Sequence, residues 1–244
     1  MQARVDTLVG MTSEPAALPS SPLDQWPPRW TPGAVIFDCD GLLVDTEGQW
    51  VALQDSYLSQ HGVSLDAATR RAITGRAVEV VVMTIAEAVG KQPQLVGDEL
   101  VAAHREHIGE RLTPLPGALE ALRAMAAVRP VAVASNSPRD MLDLKLAELG
   151  IADVIDASIA IEDVQAPKPA PDMYLAAARA LGAEPADCLG FEDSETGAEA
   201  ALAAGLQLIA IPSIPGQDPR SPRRLTSMAD PVLTEWIAGW EVRR

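Results

Sequence analysis

Two aspartates separated by one residue, Asp38 and Asp40, close an apolar run in the stretch VIFDCDGLLVDTE, residues 35–47. Alternate residues at a strand's end project to one side, so both carboxylates can face one site while Cys39 turns into the core and Gly41 permits a tight exit. Alone, such a pair could simply cap backbone donors. A second apolar run, CLGFED, ends in Glu192 and Asp193. Three or four carboxylates brought together repel one another unless a cation is held among them, and oxygen ligands of this kind suit Mg²⁺.

The anion-binding side is written in two further stretches. In VAVASNSPRD, Ser135 and Asn136 follow an apolar run, with Ser137 placed as a helix N-cap and Pro138 at the first helical position. A helix N-terminus beside the Ser135 hydroxyl makes a phosphate seat, although a serine there can also be only a cap. In QAPKPAPD, Lys168 is one of only three lysines, held among Pro167, Pro169 and Pro171. An ammonium fixed in that way can bind a phosphoryl oxygen and reduce the repulsion between Asp38 and an approaching dianion. A carboxylate nucleophile, a second carboxylate for proton transfer, a divalent metal, a hydroxyl and a lysine are together what phosphoryl transfer through an aspartyl phosphate requires.

These residues must be positioned by strands and helices in alternation. AVIFD, VAVAS, DVIDA, CLGFE and LQLIAI read as strands; GALEALRAMAAV, PRDMLDLKLAELG, PDMYLAAARALG and ETGAEAALAAG carry apolar residues at helical spacing. The pattern predicts an α/β fold, a Rossmann-like doubly wound parallel sheet, in which ligands bind beyond the carboxyl ends of the strands. Between Glu47 and Thr113 only helical patterns occur, so an all-helical insertion follows the first strand. The expected organisation is an irregular Pro- and Ser-rich extension over 1–33, an α/β core over 34–46 and 114–244, and a helical insertion over 47–113. Trp26 and Trp30 are expected to pin the extension to the core, and the tail beyond the last strand to form a loop and a short helix.

Composition narrows the function classes. A net charge of −15 in 244 residues opposes binding to nucleic acid or to an anionic membrane surface, and no cluster of arginines alternates with aromatics. No apolar run approaches the ~20 residues of a membrane span, and a cytoplasmic location is the default expectation. Cys39 and Cys188, both in strand-like runs, are expected to be buried and reduced. Nothing in the sequence specifies an oligomeric state.

In four motifs, DCDGLLVDTE, VAVASNS, APKPAPD and LGFEDSETG, taken in this order over about residues 34–212, the chain resembles the haloacid dehalogenase superfamily. The branch it resembles carries a helical cap after the first strand, the β-phosphoglucomutase-like sugar phosphatases. The resemblance implies Asp38 as nucleophile and Asp40 as general acid and base. It implies Mg²⁺ held by Asp38, the main-chain carbonyl of Asp40 and Asp193, with Glu192 as a further ligand or through water. Ser135 and Lys168 would clasp the phosphoryl group of a small phosphate ester, with Asn136 beside them, and the insertion would close over it. Arg76, in ITGRAVEV, is the candidate for touching the leaving group.

Asp40 argues against a dehalogenase, since a departing halide needs no proton, and Lys91 lies far from the Schiff-base position of phosphonoacetaldehyde hydrolases. Trp50 stands where β-phosphoglucomutases carry a histidine, and reads either as a phosphatase feature or as a core residue of the first inserted helix. His61, His104 and His107 read as surface residues of the insertion. The leading expectation is a Mg²⁺-dependent phosphatase acting on a small phosphate monoester such as a sugar phosphate. A hexose-phosphate phosphomutase and a binding module without turnover are the alternatives.

Overall fold

A computed structural model of the chain describes residues 18–73, 78–108, 112–214 and 216–241. The apolar runs form a six-stranded sheet: β1 (Ala34–Phe37), β2 (Val131–Ala134), β3 (Ala157–Ile159), β4 (Cys188–Glu192), β5 (Gln207–Ala210) and β6 (Arg223–Arg224). Their order is β3-β2-β1-β4-β5-β6 and every pairing is parallel. Parallel strands need crossovers on both faces, and the sheet's residues divide accordingly with period two. Val35, Phe37, Val133 and Phe191 point into a core closed by α5 (Ala118–Ala126), α6 (Arg139–Glu148) and α9 (Pro231–Ala238), where the Phe37 and Phe191 rings stack at 5.1 Å. Ala34, Ile36, Ala132 and Ala134 point to the other face, against α7 (Asp172–Ala180) and α8 (Glu195–Ala204). Alanine on both partners lets those two helices lie close to the strands.

The third strand lies further along than the DVIDA reading over 153–157. Val154 and Ile155 are half-buried against the core from a turn, and Asp156 ties that turn to β2. Its N–H donates to the Val131 carbonyl at 2.8 Å and its carboxylate accepts from the Val131 N–H at 2.8 Å. The apolar residues there serve packing, and pairing starts after them. β6, absent from the sequence reading, consists of two arginines on an edge, where charge is favoured over apolar pattern.

Four helices stand between β1 and β2: α1 (Thr46–Gln60), α2 (Ala67–Ile73), α3 (Val78–Val89) and α4 (Pro93–Ile108). Their facing sides build a separate core around Leu53, Leu58, Ile85 and Leu100. The chain leaves and re-enters the sheet along paired linkers, with Asp45 N–H on the Thr113 carbonyl at 3.0 Å and Leu115 N–H on the Leu43 carbonyl at 3.1 Å. At the other end of the core, Leu23 is fully buried and Trp26 packs edge-on against Trp236 at 5.6 Å, fixing the described part of the N-terminal extension. Cys39 and Cys188 are buried free thiols. Among the described residues no helix is long and apolar enough to cross a membrane.

Candidate active site

β1 is central, and the chain runs outward from it through β2 on one side and β4 on the other, so a crevice opens at the carboxyl ends of these three strands. Asp38 and Asp40 follow β1, Ser135 and Asn136 follow β2, Glu192 ends β4 and Asp193 follows it. All but Glu192 line one cavity of about 280 Å³, with Lys168 and with Thr46, Ser213 and Gln217.

Lys168 joins the strands. Its ammonium lies 2.6 Å from Asp38 Oδ1, 2.6 Å from Glu192 Oε1 and 2.9 Å from the Ala134 carbonyl. Burial opposes its charge, yet Asp38 and Glu192 hold its pKa well above the ordinary lysine value. Glu192 is wholly buried. Its Oε1 also accepts from the Tyr174 hydroxyl, and Oε2 accepts from the Ser194 hydroxyl and the Asp193 N–H, each at 3.2 Å. Gly197 makes room for it, since a Cβ at that position would stand 1.9 Å from Glu192 Oε1.

Oxygen atoms of Asp38, Glu192 and Asp193 come within 4.8 Å of one another. Burial pushes the Asp38 carboxyl well above its ordinary 3.8; Lys168 pulls it down, and Glu192, Asp193 and Asp40 add to the rise. Burial and then Glu192 push Asp193 up to about 7, against a 2.7 Å hydrogen bond from Ser213. Buried, mutually repelling carboxylates are the donor set a hard divalent cation relieves, and an all-oxygen cluster beside an open cavity fits Mg²⁺. Gly41, with φ of +80°, passes so close that a Cβ would sit 2.2 Å from Asp193 Oδ2, so this turn requires glycine twice over.

Asp40 has different surroundings. Oδ2 accepts from Ser135 at 2.9 Å and from Ser137 at 2.7 Å, while Oδ1 pairs with the Lys145 ammonium. Burial alone would raise its pKa, but Lys145 and the two hydroxyls outweigh burial and hold it below the ordinary carboxylate value. The two aspartates, two residues apart, are thus driven in opposite directions.

Three expectations change at the α6 end. Ser137 is not the helix N-cap: Pro138 takes that place, and the Ser137 hydroxyl turns to Asp40. Two of the backbone donors are occupied, Ser137 N–H by Ser135 Oγ at 3.0 Å and Arg139 N–H by Glu162 at 2.9 Å, so these two are not offered to a phosphate. Asn136 lines the cavity but spends its amide on the Lys168 backbone, donating to the carbonyl at 3.2 Å and accepting from the N–H at 3.0 Å. Arg76 lies outside the described residues. Trp50 packs edge-on against His104 at 5.7 Å beside the insertion's core, and His61 Nδ1 lies 2.8 Å from the Tyr57 carbonyl; the His107 side chain is outside the described set.

Sequence reasoning missed Lys145, Tyr174, Ser213 and Gln217. Ser213 had a signal: it follows the LQLIAI run as Asp38 follows β1. Lys145 had one too, a lysine standing at helical spacing among Met141, Leu142 and Leu146 on the buried face of α6.

A family model described as a hydrolase, haloacid dehalogenase-like hydrolase, matches residues 32–205. The fructose-1-phosphate phosphatase YqaB of Escherichia coli (strain K12) is 30% identical over 177 residues, which is 72% of this chain and 94% of that protein. The structure of a HAD family hydrolase from Deinococcus radiodurans R1, with bound phosphate and sodium, is 32% identical with a TM-score of 0.65, covering 81% of this chain and 92% of that one. A putative β-phosphoglucomutase from Thermotoga maritima shares the fold, with a TM-score of 0.73 over 85% of this chain and 99% of its own at 23% identity.

Proposed function

Because the chain belongs to the haloacid dehalogenase-like hydrolases, we propose that it is a Mg²⁺-dependent phosphatase that cleaves a small phosphate monoester through an aspartyl phosphate on Asp38. The observation that carries this reading is the contact of the buried Asp38 carboxylate with the Lys168 ammonium on the wall of a cavity that Asp40 also lines. A sugar phosphate is the favoured substrate, supported by the likeness to a fructose-1-phosphate phosphatase.

Asp38, Asp193 and the main-chain carbonyl of Asp40 would hold Mg²⁺, with Glu192 behind them. When bound, the cation supplies positive charge that keeps the carboxylates ionised and offsets charge on the phosphoryl oxygens. Asp38 attacks phosphorus as the ester oxygen leaves, and Asp40, which is held ionised at rest and so must first take up a proton from solvent, gives that proton to the departing oxygen. Lys168 binds a phosphoryl oxygen and reduces the repulsion between Asp38 and the incoming anion, and Ser135, whose hydroxyl donates to Asp40 at rest, would reach the phosphoryl group by turning that hydroxyl away from Asp40. Asn136 and Glu192 fix Lys168 from its backbone and its ammonium. Water then attacks the aspartyl phosphate, with Asp40 taking the proton. The helical insertion, joined by two adjacent linkers, serves as the cap that excludes bulk water during the first step.

The test is phosphate release from p-nitrophenyl phosphate and a panel of sugar phosphates with and without MgCl₂. Turnover is expected only with the metal and is expected to vanish in Asp38→Asn; turnover surviving in that variant overturns the mechanism.

A further inference from the structure

Two of the chain's three lysines converge on its two strand-end aspartates, Lys168 on Asp38 and Lys145 on Asp40. The second is unexplained by the mechanism above. Lys145 does not line the cavity; its side chain is 3% exposed, behind an Asp40 side chain that is 31% exposed. It stands on the buried face of α6 beside Met141, Leu142 and Leu146, where an ammonium carries a desolvation cost that an apolar side chain does not.

The hydrogen bonds show what it does. Lys145 Nζ donates to Asp40 Oδ1 and, at 2.8 Å, to Ser137 Oγ. The Ser137 hydroxyl donates a hydrogen bond to Asp40 Oδ2, and so does the Ser135 hydroxyl, whose oxygen accepts from the Ser137 N–H. All three neighbours donate to Asp40, and the two hydroxyl donors are oriented by further bonds. The carboxylate is therefore held in one orientation, with acceptor capacity left on Oδ1.

We propose that Lys145 is a positioning residue for the second half of the reaction, holding the Asp40 carboxylate in the orientation from which it takes a proton from the attacking water. In that step the water oxygen bonds to phosphorus and its proton passes to Asp40. The bond from phosphorus to the Asp38 oxygen breaks, its electron pair returns to Asp38, and phosphate leaves. This rests on the aspartyl-phosphate reading of the site.

The test uses p-nitrophenyl phosphate, whose leaving group departs without needing a proton, so a defect in Asp40 falls on the water step. In Lys145→Met, kcat is expected to fall about a hundredfold, the cost of a misplaced catalytic group. kcat/KM is expected to hold, because it reports formation of the aspartyl phosphate. A burst of about one p-nitrophenolate per enzyme and a phosphoenzyme of increased mass should accompany the loss, since water attack then limits turnover. Lys145→Arg should recover part of the rate. Ser137→Ala leaves Lys145 and Asp40 paired and should show the same pattern more weakly, which keeps the proposal testable if Lys145→Met does not fold. Equal losses of kcat and kcat/KM without a burst overturn the positioning role. Persistence of activity in Asp38→Asn instead sinks the aspartyl-phosphate reading, and this proposal with it.

Discussion

At the scale of single residues, the site depends on close approaches that leave no room for a side chain. Glu192 turns its carboxylate under the first turn of α8, where it accepts from Tyr174 and Ser194 and anchors Lys168. Gly197→Ala would put a methyl carbon 2.0 Å from Glu192 Cδ, and the crowded atoms belong to a side chain already held at both oxygens. Overpacking of this kind costs about 1–3 kcal/mol. The variant is expected to melt several degrees lower and to lose most of its turnover, because displacing Glu192 also moves Lys168; an unchanged melting temperature and rate would show that Glu192 relocates freely. How legible such residues were depended on where their signal lay. The convergence of Asp38, Asp40, Lys168 and Asp193 is readable because each follows a strand or sits in a proline-stiffened segment, and that local pattern coincides with the chemistry proposed for it. Lys145 and Tyr174 were not read, because their meaning depends on which helix face meets the sheet. Asn136 was read as a phosphate ligand from proximity alone, and only coordinates show its amide committed to the Lys168 backbone.

At the scale of elements, one helix carries a test of how far its stability is local. Gly97 lies inside α4, where glycine is conformationally expensive, and an added Cβ would meet only Val82 Cγ1 at 3.6 Å and Cγ2 at 4.0 Å. Those are ordinary contacts. Gly97→Ala is therefore expected to stabilise the chain by about 0.5–1 kcal/mol, read as a higher denaturant midpoint at unchanged slope. A fall in the midpoint would mean that α4 needs that gap in its packing against α3. The same local logic explains which elements could be read beforehand. Four of the five expected strands coincide with buried apolar runs whose two faces are both covered, and Gly150, Gly182 and Gly205 end their helices with positive φ, where the sequence had placed helix ends. The third strand was displaced because Val154 and Ile155 bury themselves from a turn, which hydropathy cannot distinguish from burial in a strand. β6 had no apolar signal at all, being an arginine pair on an edge. α3 illustrates the opposite case: its VEVVV start favours a strand by propensity, yet Val81, Val82, Ile85 and Ala86 are buried at helical spacing against α4.

At the scale of the whole molecule, Asp38, Glu192 and Asp193 are the buried acids among the described residues, and such groups make stability depend on pH. Asp193, pushed up to about 7 from 3.8, binds a proton in the folded state that the unfolded chain releases near 4, and burial shifts Asp38 in the same direction. A raised folded pKa gives stability that is complete below the unfolded value and is lost as pH rises through the folded one. Asp40 and Asp163 are shifted the other way, so their contribution is present above about 4 and is lost only as pH falls below it. Between pH 5 and 8 Asp193 therefore governs, and the metal-free protein should melt at a lower temperature at pH 8 than at pH 5.5. Mg²⁺ competes with that proton, so it should bind more tightly and stabilise more at the higher pH; at a hundred times its dissociation constant a ligand contributes about 2.7 kcal/mol. Thermal melts at pH 6 and pH 8, each with EDTA and with MgCl₂, measure both effects together. A magnesium-induced rise that is equal at the two pH values would mean that the ion sits away from Asp38 and Asp193. Asp193→Asn should flatten the metal-free pH dependence and remove most of the magnesium response, since it deletes the group that titrates near neutrality and one of the oxygens that would hold the ion.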